Sequence, residues 1–126
     1  MTAFRIGEAA ELLGVSADTV RRLIDGGRLT ATRDQHGHRM IAGTDLAAYV
    51  RSGRDEGGAR SSARNRLRGI VTAVTRDTVM AQVELQAGPF RVVSLMSREA
   101  ADQLGLEVGC VAVAVVKSTT VVVEVP

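Results

Sequence analysis

The chain contains a single lysine, Lys117, and its surroundings mark it as a candidate for chemistry. It lies in the run AVAVVKSTTVVVEVP, where the valines on both sides predict two buried strands. The other fifteen of the 16 basic residues are arginines (16 − 1 = 15). A cation in a dry segment is costly without a counter-charge. Lys117 therefore either meets an anion or lays its stem on apolar surface with its head in water.

Length and composition narrow the class of protein. A chain of 126 residues fits one ordinary domain or two very small ones, and 45% hydrophobic with 24% charged residues is typical of a folded chain. No apolar run approaches the roughly 20 residues of a membrane span, and the start MTAFRIGEAAELL lacks the features of a signal peptide. A lone cysteine, Cys110, favours a reducing compartment, so we expect a cytoplasmic protein without a membrane partner. No nucleophile–base pair, metal cluster or phosphate loop is evident, so we expect no enzyme.

Charge and pattern both change along the chain. Residues 1–68 carry twelve arginines and eight acids (12 − 8 = +4), whereas residues 69–126 carry four basic and six acidic residues (4 − 6 = −2). The basic first half weakly favours a polyanionic partner. The stretch SGRDEGGARSS is rich in Gly, Ser and charge, as flexible linkers are. We therefore predict domains over residues 1–52 and 62–126, joined by a linker over 53–61.

The first domain begins with the spacing of two short helices. Apolar residues at positions 6, 9, 10 and 13 share one helix face, and Gly14 ends that helix. Ser16 stands where an N-cap belongs, and positions 20, 23 and 24 form the buried face of a second helix. Arg21 and Arg22 project away from that face. A short turn between two such helices is typical of a helix-turn-helix.

A hairpin and a third helix follow. The segment LTATRDQHGHRMI predicts strands at Leu29–Arg33 and His38–Ile41 around a turn. A third helix is predicted to begin at Thr44, capped by its hydroxyl, with Leu46, Tyr49 and Val50 facing inward. The two histidines beside Gly37, at positions 36 and 38, are a weak metal signal, so we expect no metal.

The segments IGEAAELLGVSADTVRRLIDGGRL, GHR and TDLAAYV, in this order, resemble the MerR-like and excisionase-like winged helix-turn-helix domains. The resemblance covers about residues 4–51. It implies that the second helix enters a major groove of double-stranded DNA while the wing reaches the backbone. The residues that match DNA-facing positions are Ser16, Thr19, Arg21, Arg22, His38 and Arg39. Many relatives continue into a long dimerising helix, which is replaced here by the predicted linker.

The second domain reads as five short strands and one helix. The first strand runs up to a turn at Asp77-Thr78, and SREAADQLGL has helical spacing with Ser97 as N-cap. The remaining strands are predicted at Val79–Gln86, Phe90–Met96, Cys110–Val116 and Thr120–Val125. This order matches a small five-stranded OB-like barrel. The predicted fold class is therefore α+β with two domains, a winged helix-turn-helix followed by that barrel with one short helix.

SARNRLRG and VVKSTTVVV, placed at opposite ends of such a barrel, resemble the molybdate-binding Mop or TOBE domain over about residues 62–125. The resemblance implies an oxyanion, molybdate or tungstate, bound between subunits of a homo-oligomer (a dimer or more, such as a trimer or hexamer), with no organic cofactor and no catalytic residue. The matching ligand positions are Ser62, the backbone of Ala63, Arg64, Ser97, Lys117 and Ser118. For Ser97 alone, a plain helix cap is the favoured interpretation.

Together the two resemblances predict a transcriptional regulator whose oligomeric C-terminal domain senses an oxyanion. Two alternatives stay open at this point. The protein could store or buffer molybdate and carry an accessory DNA-binding domain, or the barrel could be a ligand-free oligomerisation module.

Overall fold

A computed structural model of the chain describes residues 2–53 and 61–126. The chain divides into two compact units, Met1–Gly58 and Ala59–Pro126. Most of the predicted linker, residues 54–60, lies outside the described residues. Within the described residues every helix is too short or too polar to traverse a bilayer.

The N-terminal unit is a small helical unit with a three-stranded antiparallel sheet. Its elements are β1 (Ala3–Arg5), α1 (Ile6–Leu13), α2 (Ala17–Asp25), β2 (Thr32–Arg33), β3 (Arg39–Ala42) and α3 (Gly43–Ser52). The sheet has the order β1-β3-β2. Gly14 ends α1 with a left-handed φ of 69°. The Ser16 hydroxyl accepts a hydrogen bond from the Thr19 N–H and so caps α2, as predicted.

Apolar side chains from all three helices and from β3 form the core of this unit. Val20 and Ile41 are fully buried, and the other buried members are Ala9, Ala10, Leu29 and Leu46. The core fixes the second helix of the helix-turn-helix against the first. As a result, one side of α2 is exposed and carries its arginines.

Three local predictions in this unit were wrong. The first hairpin strand is shorter than predicted, the second is shifted by one residue, and β1, which pairs with β3, was not predicted at all. Helix α3 begins at Gly43 after Ala42 and has no side-chain cap, because the Gly43 N–H donates to the Thr2 carbonyl at 2.8 Å instead. Val50 is exposed, since Leu46 and Tyr49 already fill the contact with the core.

The C-terminal unit is a curled four-stranded antiparallel sheet with one short helix. Its elements are β4 (Asn65–Arg76), β5 (Met80–Ala87), β6 (Phe90–Ser97), α4 (Arg98–Gln103) and β7 (Val111–Val116), followed by a 3-10 turn (Ser118–Thr120). The order of strands is β6-β5-β4-β7. The first half of β4, up to Ile70, pairs with β7, and its second half pairs with β5.

Gly69 lies where β4 passes from one partner strand to the other. A Cβ atom here would come within 2.8 Å of the Gln86 carbonyl carbon and 3.1 Å of the Ala87 Cα, and it would overlap the Gln86 oxygen. Only glycine permits this close approach of β4 to the end of β5. The sheet therefore curls at Gly69, which directs the N-terminal half of β4 onto β7.

The inner face of the curled sheet and α4 enclose the second core. Val71 and Val83 are fully buried, together with Ala81, Leu85, Ala101 and Leu106. At the tight turn into β5, the Asp77 carboxylate accepts backbone N–H bonds from Met80 and Val79, at 2.6 and 2.8 Å. These bonds lower the pKa of the Asp77 carboxyl.

The predicted five-stranded OB-like barrel is not confirmed in its details. Four strands form in this unit among the described residues, and the predicted fifth, Thr120–Val125, forms no strand and begins inside the 3-10 turn. Its side chains are exposed, with Val122 at 87% and Val125 at 91%. Valine favours extended backbone, but a strand also needs a hydrogen-bonded partner, and no strand among the described residues pairs with this segment. The broader prediction of an α+β chain with a curled antiparallel sheet is confirmed.

Candidate functional site

The two basic segments singled out in the sequence meet at one end of the C-terminal sheet. The ladder between β4 and β7 ends with the pair Asn65 and Val116. Arg64 precedes the first residue of that pair and Lys117 follows the second, so the two cationic residues flank the end of the ladder from neighbouring strands. Arg64 and Lys117 are both exposed.

A tight turn follows Lys117 and places Ser118 beside it. The Lys117 carbonyl accepts the Thr120 N–H at 3.0 Å and the Thr120 hydroxyl at 2.8 Å. These bonds fix the backbone directly after β7, where the hydroxyl of Ser118 is exposed. Lys117 is thus not in a dry segment, because the valines that follow it are exposed as well.

On the other strand, Ser62 and Ala63 lead into Arg64. Ser62 is exposed and Ala63 is half-buried. The Ala63 N–H, a predicted ligand donor, is within 3.1 Å of the Ser61 hydroxyl oxygen and donates to it. An anion at this position would therefore have to displace the Ser61 hydroxyl to use that N–H group.

Ser97 lies at the other end of the sheet. It pairs with Met80 at the start of β5, whereas Arg64 adjoins the opposite end of β4. Strand β4 has 12 residues, so its length along the backbone is roughly 40 Å at about 3.3 Å per residue, and the curl of the sheet makes the direct distance shorter. The Ser97 hydroxyl caps α4 by accepting the Ala100 N–H at 3.1 Å. The register of a single chain thus places Arg64 and Lys117 on neighbouring strands and leaves Ser97 apart.

Positive charge without an acidic partner is concentrated in the N-terminal half of β4 and at Lys117. In the other strands Arg91 pairs with Glu84, and at the far end of β4 Arg76 pairs with Asp102 at 3.0 Å. The first pair lowers the pKa of the Glu84 carboxyl. Among residues 2–53 and 61–126, no ion pair is formed by Arg64, Arg66, Arg68 or Lys117. This end of the sheet therefore carries positive charge that the described residues do not neutralise.

In the N-terminal unit, the predicted DNA-facing residues lie at the start of α2 and along it, where Arg21 and Arg22 are exposed and Thr19 is half-buried. Ser16 and Thr19 bond to each other through their hydroxyls at 2.9 Å, at the start of the helix. Arg21 pairs with Asp18 at 2.8 Å. Arg22 is exposed and forms no ion pair within the described part of the chain. Arg22 is thus the arginine of α2 most available to a phosphate.

The wing is held by contacts that the sequence did not reveal. The Asp34 carboxylate accepts the backbone N–H groups of His38 and His36, each at 2.9 Å, and lies 3.5 Å from the His38 ring. The backbone bond from His38 is the main cause of a lowered Asp34 pKa. Arg33 donates to the Gly37 carbonyl at 2.6 Å and closes the turn. Aspartate side chains often accept backbone N–H groups in turns, so Asp34 at the start of the predicted turn was the sequence signal for this contact.

Arg39, a predicted DNA contact, is engaged within the unit. It donates to the Asp25 carboxylate at 3.0 Å, and its side chain is only 28% exposed. Arg39 thereby ties the base of the wing to the end of α2. In the described part of the chain, no three His, Cys, Asp or Glu side chains are grouped closely enough to hold a metal ion.

Comparison with known proteins bears on both units. Residues 3–54 match the family model of a helix-turn-helix domain, and residues 61–123 match that of the TOBE domain. The chain is also similar to molybdenum-pterin-binding protein 3 of Clostridium pasteurianum. The two sequences are 43% identical over 63 residues, which cover 49% of this chain and 93% of that protein. The chain thus combines a helix-turn-helix domain with a TOBE domain.

Solved structures agree with this assignment. The C-terminal unit is similar to the cytoplasmic molybdate-binding protein ModG with molybdate bound, at 38% identity and a TM-score of 0.51, over 57% of this chain and 52% of that one. It is also similar to a molybdate-binding protein from Sporomusa ovata, at 27% identity and a TM-score of 0.50, over 52% of this chain and 98% of that one. The chain belongs to the TOBE-domain family. The predicted pairing of a helix-turn-helix domain with a Mop or TOBE domain is confirmed.

Proposed function

We propose that this protein is a DNA-binding transcriptional regulator that responds to molybdate or tungstate. The observation that carries the proposal is the end of the β4–β7 ladder. There Arg64 and Lys117 lie on neighbouring strands, exposed and without an acidic partner among the described residues. Like charges on adjacent strands destabilise a sheet unless an anion lies between them. A tetrahedral dianion supplies that compensating charge.

The residues around this point suit an oxyanion. The Arg64 guanidinium offers a planar fork of donors, and the Lys117 ammonium offers a compact charge. The hydroxyls of Ser62 and Ser118 and the N–H of Ala63 supply further donors to the remaining lone pairs. The names of similar proteins, which specify molybdate or molybdenum-pterin, support molybdate as the ligand class.

We further propose that the C-terminal unit assembles into a homo-oligomer. The open side of the curled sheet forms an apolar trough of about 440 Å³ lined by residues of β5, β6 and β7. The free edges of β6 and β7 and the exposed valines of the C-terminal segment add to this unpartnered surface. Exposed apolar surface and open edges of this kind mark protein interfaces. A second copy also provides the route by which Ser97 could reach an oxyanion held by Arg64 and Lys117.

The N-terminal unit supplies the contact to double-stranded DNA. The exposed side of α2 carries Arg22, and the wing carries an exposed His38. The next residue, Arg39, holds the wing to α2 through its ion pair with Asp25. A helix with exposed arginines fits a major groove, where guanidinium groups pair with phosphates or guanine edges. We place this activity in the cytoplasm, as the name of the ModG relative states for that protein.

The ligand is tested by calorimetric titration of molybdate into the full chain, with sulfate as the competing anion. Lys117→Ala and Arg64→Ala each remove a charged donor, and we expect each to weaken binding by about 10- to 100-fold. Arg68→Ala is the matched control, because Arg68 is also an exposed arginine of β4 but lies four residues from Arg64. We expect it to bind within twofold of the wild type. If molybdate does not bind, or binds equally well to all variants, the site assignment is wrong.

The regulator is separated from a storage protein by DNA binding. Duplexes that the chain prefers can be selected from a random pool, and their affinity measured with and without saturating molybdate. A regulator changes its DNA affinity by the same factor by which DNA changes its molybdate affinity. Tight molybdate binding with unchanged DNA affinity would instead favour storage. Binding of a molybdenum-pterin complex but not of the free oxyanion would show that the ligand class is different.

A further inference from the structure

We propose that Asn65 is a positioning residue of the oxyanion site. Its side-chain amide holds the segment that contains Arg64 against the segment that contains Lys117. This inference rests on the proposed function, because it concerns how the same oxyanion site is built. Neither the spacing of charges nor the list of candidate ligands in the sequence pointed to Asn65.

The contact joins residues that are 51 positions apart. The Asn65 Nδ2 donates to the backbone carbonyl of Val116 at 3.0 Å, in a half-buried position. Asn65 is the first residue of β4 and Val116 is the last residue of β7, and they form the terminal pair of the ladder. The bond is therefore made at the last point before the two cationic residues diverge from the sheet.

The end of a ladder is where strands separate most easily. Terminal pairs open at much lower free energy than pairs inside a sheet, because few contacts hold them. The side-chain bond from Asn65 adds a link to the terminal pair that the backbone alone does not provide. It restrains the backbone next to Arg64 on one strand and next to Lys117 on the other.

The chemistry of the amide suits this position. An amide donates to a carbonyl without carrying charge, so it neither competes with Arg64 and Lys117 for the oxyanion nor repels it. A carboxylate of the same size would lose the donor and add negative charge beside the site. An amide therefore fits a positioning role, whereas a direct ionic contact with the ligand would require a cation.

The test compares two substitutions that each remove one bond from β4 to a backbone carbonyl. Asn65→Leu keeps the side-chain size and removes the donor at the site. Thr72→Val is the matched control, because the Thr72 hydroxyl donates to the Glu84 carbonyl at 3.3 Å farther along the same strand. For both full-length variants and the wild type, molybdate affinity is measured by calorimetry and unfolding temperature by scanning calorimetry. Amide hydrogen exchange of residues 113–120 is measured without ligand.

We expect Asn65→Leu to weaken molybdate binding about five- to tenfold, since a neutral hydrogen bond of this kind orders both ligand segments. Exchange in residues 113–120 becomes faster, and molybdate restores its protection. Thr72→Val lowers the unfolding temperature by a similar amount but binds molybdate within twofold of the wild type. A purely stabilising role for Asn65 would move the unfolding temperature and leave the affinity unchanged.

The outcomes separate this inference from the proposed function. If the wild type binds molybdate and Asn65→Leu binds it within twofold, Asn65 is not a positioning residue and the inference is overturned, while the oxyanion site stands. If the wild type binds no molybdate, the proposed function fails first. Asn65 is then a structural residue of the strand end, and the inference is overturned with it.

Discussion

Replacing Gly69 with alanine tests the geometry that brings the oxyanion site together. The added Cβ would lie 2.8 Å from the Gln86 carbonyl carbon and 3.1 Å from the Ala87 Cα, and it would overlap the Gln86 oxygen. Ordinary van der Waals contact of a Cβ atom begins at 3.4 Å. The end of β5 must therefore move away from β4 by more than half an ångström. This movement disturbs the Ile70–Gln86 pair, with which the β4–β5 ladder begins.

The expected cost follows from this displacement. Insertion of an atom into a closely packed position costs about 1–3 kcal/mol, and here both neighbours are backbone that cannot rotate away, so we expect about 3 kcal/mol. For a domain of this size that corresponds to a fall of about 12–24 °C in unfolding temperature. The measurement is scanning calorimetry of the full chain, followed by calorimetric titration with molybdate. Affinity should fall as well, because Gly69 sets the path of β4 towards Asn65.

Gly88→Ala is the control. Gly88 has a left-handed φ of 57°, but a Cβ there meets nothing within 4 Å. Alanine at Gly88 is strained by roughly 1–2 kcal/mol without any clash. Gly69→Ala must therefore be the more destabilising change, although its backbone is not left-handed. If it costs no more than Gly88→Ala, the close approach of β4 to β5 is absent in solution and the curl has another cause.

Three further predictions concern single side chains. Ser16→Ala removes the cap of α2, and chemical denaturation should show a loss of about 1 kcal/mol from the N-terminal unit, whereas no loss would mean that the cap contributes nothing. Because the folded state lowers the pKa of Asp77, its stabilisation is present above the unfolded pKa and is lost as pH falls through the folded value. The unfolding temperatures of wild type and Asp77→Asn should therefore differ most near pH 7 and converge below about pH 4, and a constant difference would contradict this. Arg22→Ala should weaken binding to all duplexes and lower the slope of log affinity against log salt concentration by about one. The effect should exceed that of Arg21→Ala, as measured by fluorescence anisotropy at several salt concentrations.

The helix-turn-helix could be predicted because its signals are local. Gly14 and Ser16 each determine the backbone within one turn of their own position, so a single sequence suffices to place the end of α1 and the start of α2. Strand β1 escaped prediction because its three residues, Ala3–Arg5, have no pattern of their own. It is a strand because β3 lies beside it.

The valine-rich C-terminal segment shows the opposite limit. Its composition favours extended backbone, and Val121 directly after the 3-10 turn is extended, but the segment forms no strand. Pairing depends on a free edge at the right distance, which side-chain preference does not encode. The same reason explains the missed link between Arg39 and Asp25, which are 14 residues apart in sequence and 3.0 Å apart in space.

For the oxyanion site, the sequence by itself determined which residue types are present. It placed a basic segment around Arg64 and the lone lysine at two separate points of the chain, and their resemblance to a known domain indicated an anion. Only the tertiary structure decided that the two points adjoin. The antiparallel register that ends at Asn65 and Val116 brings them together, and the same register leaves Ser97 at the far end. Register arises from the curl at Gly69 and from the packing of the whole sheet, so no short stretch of sequence contains it.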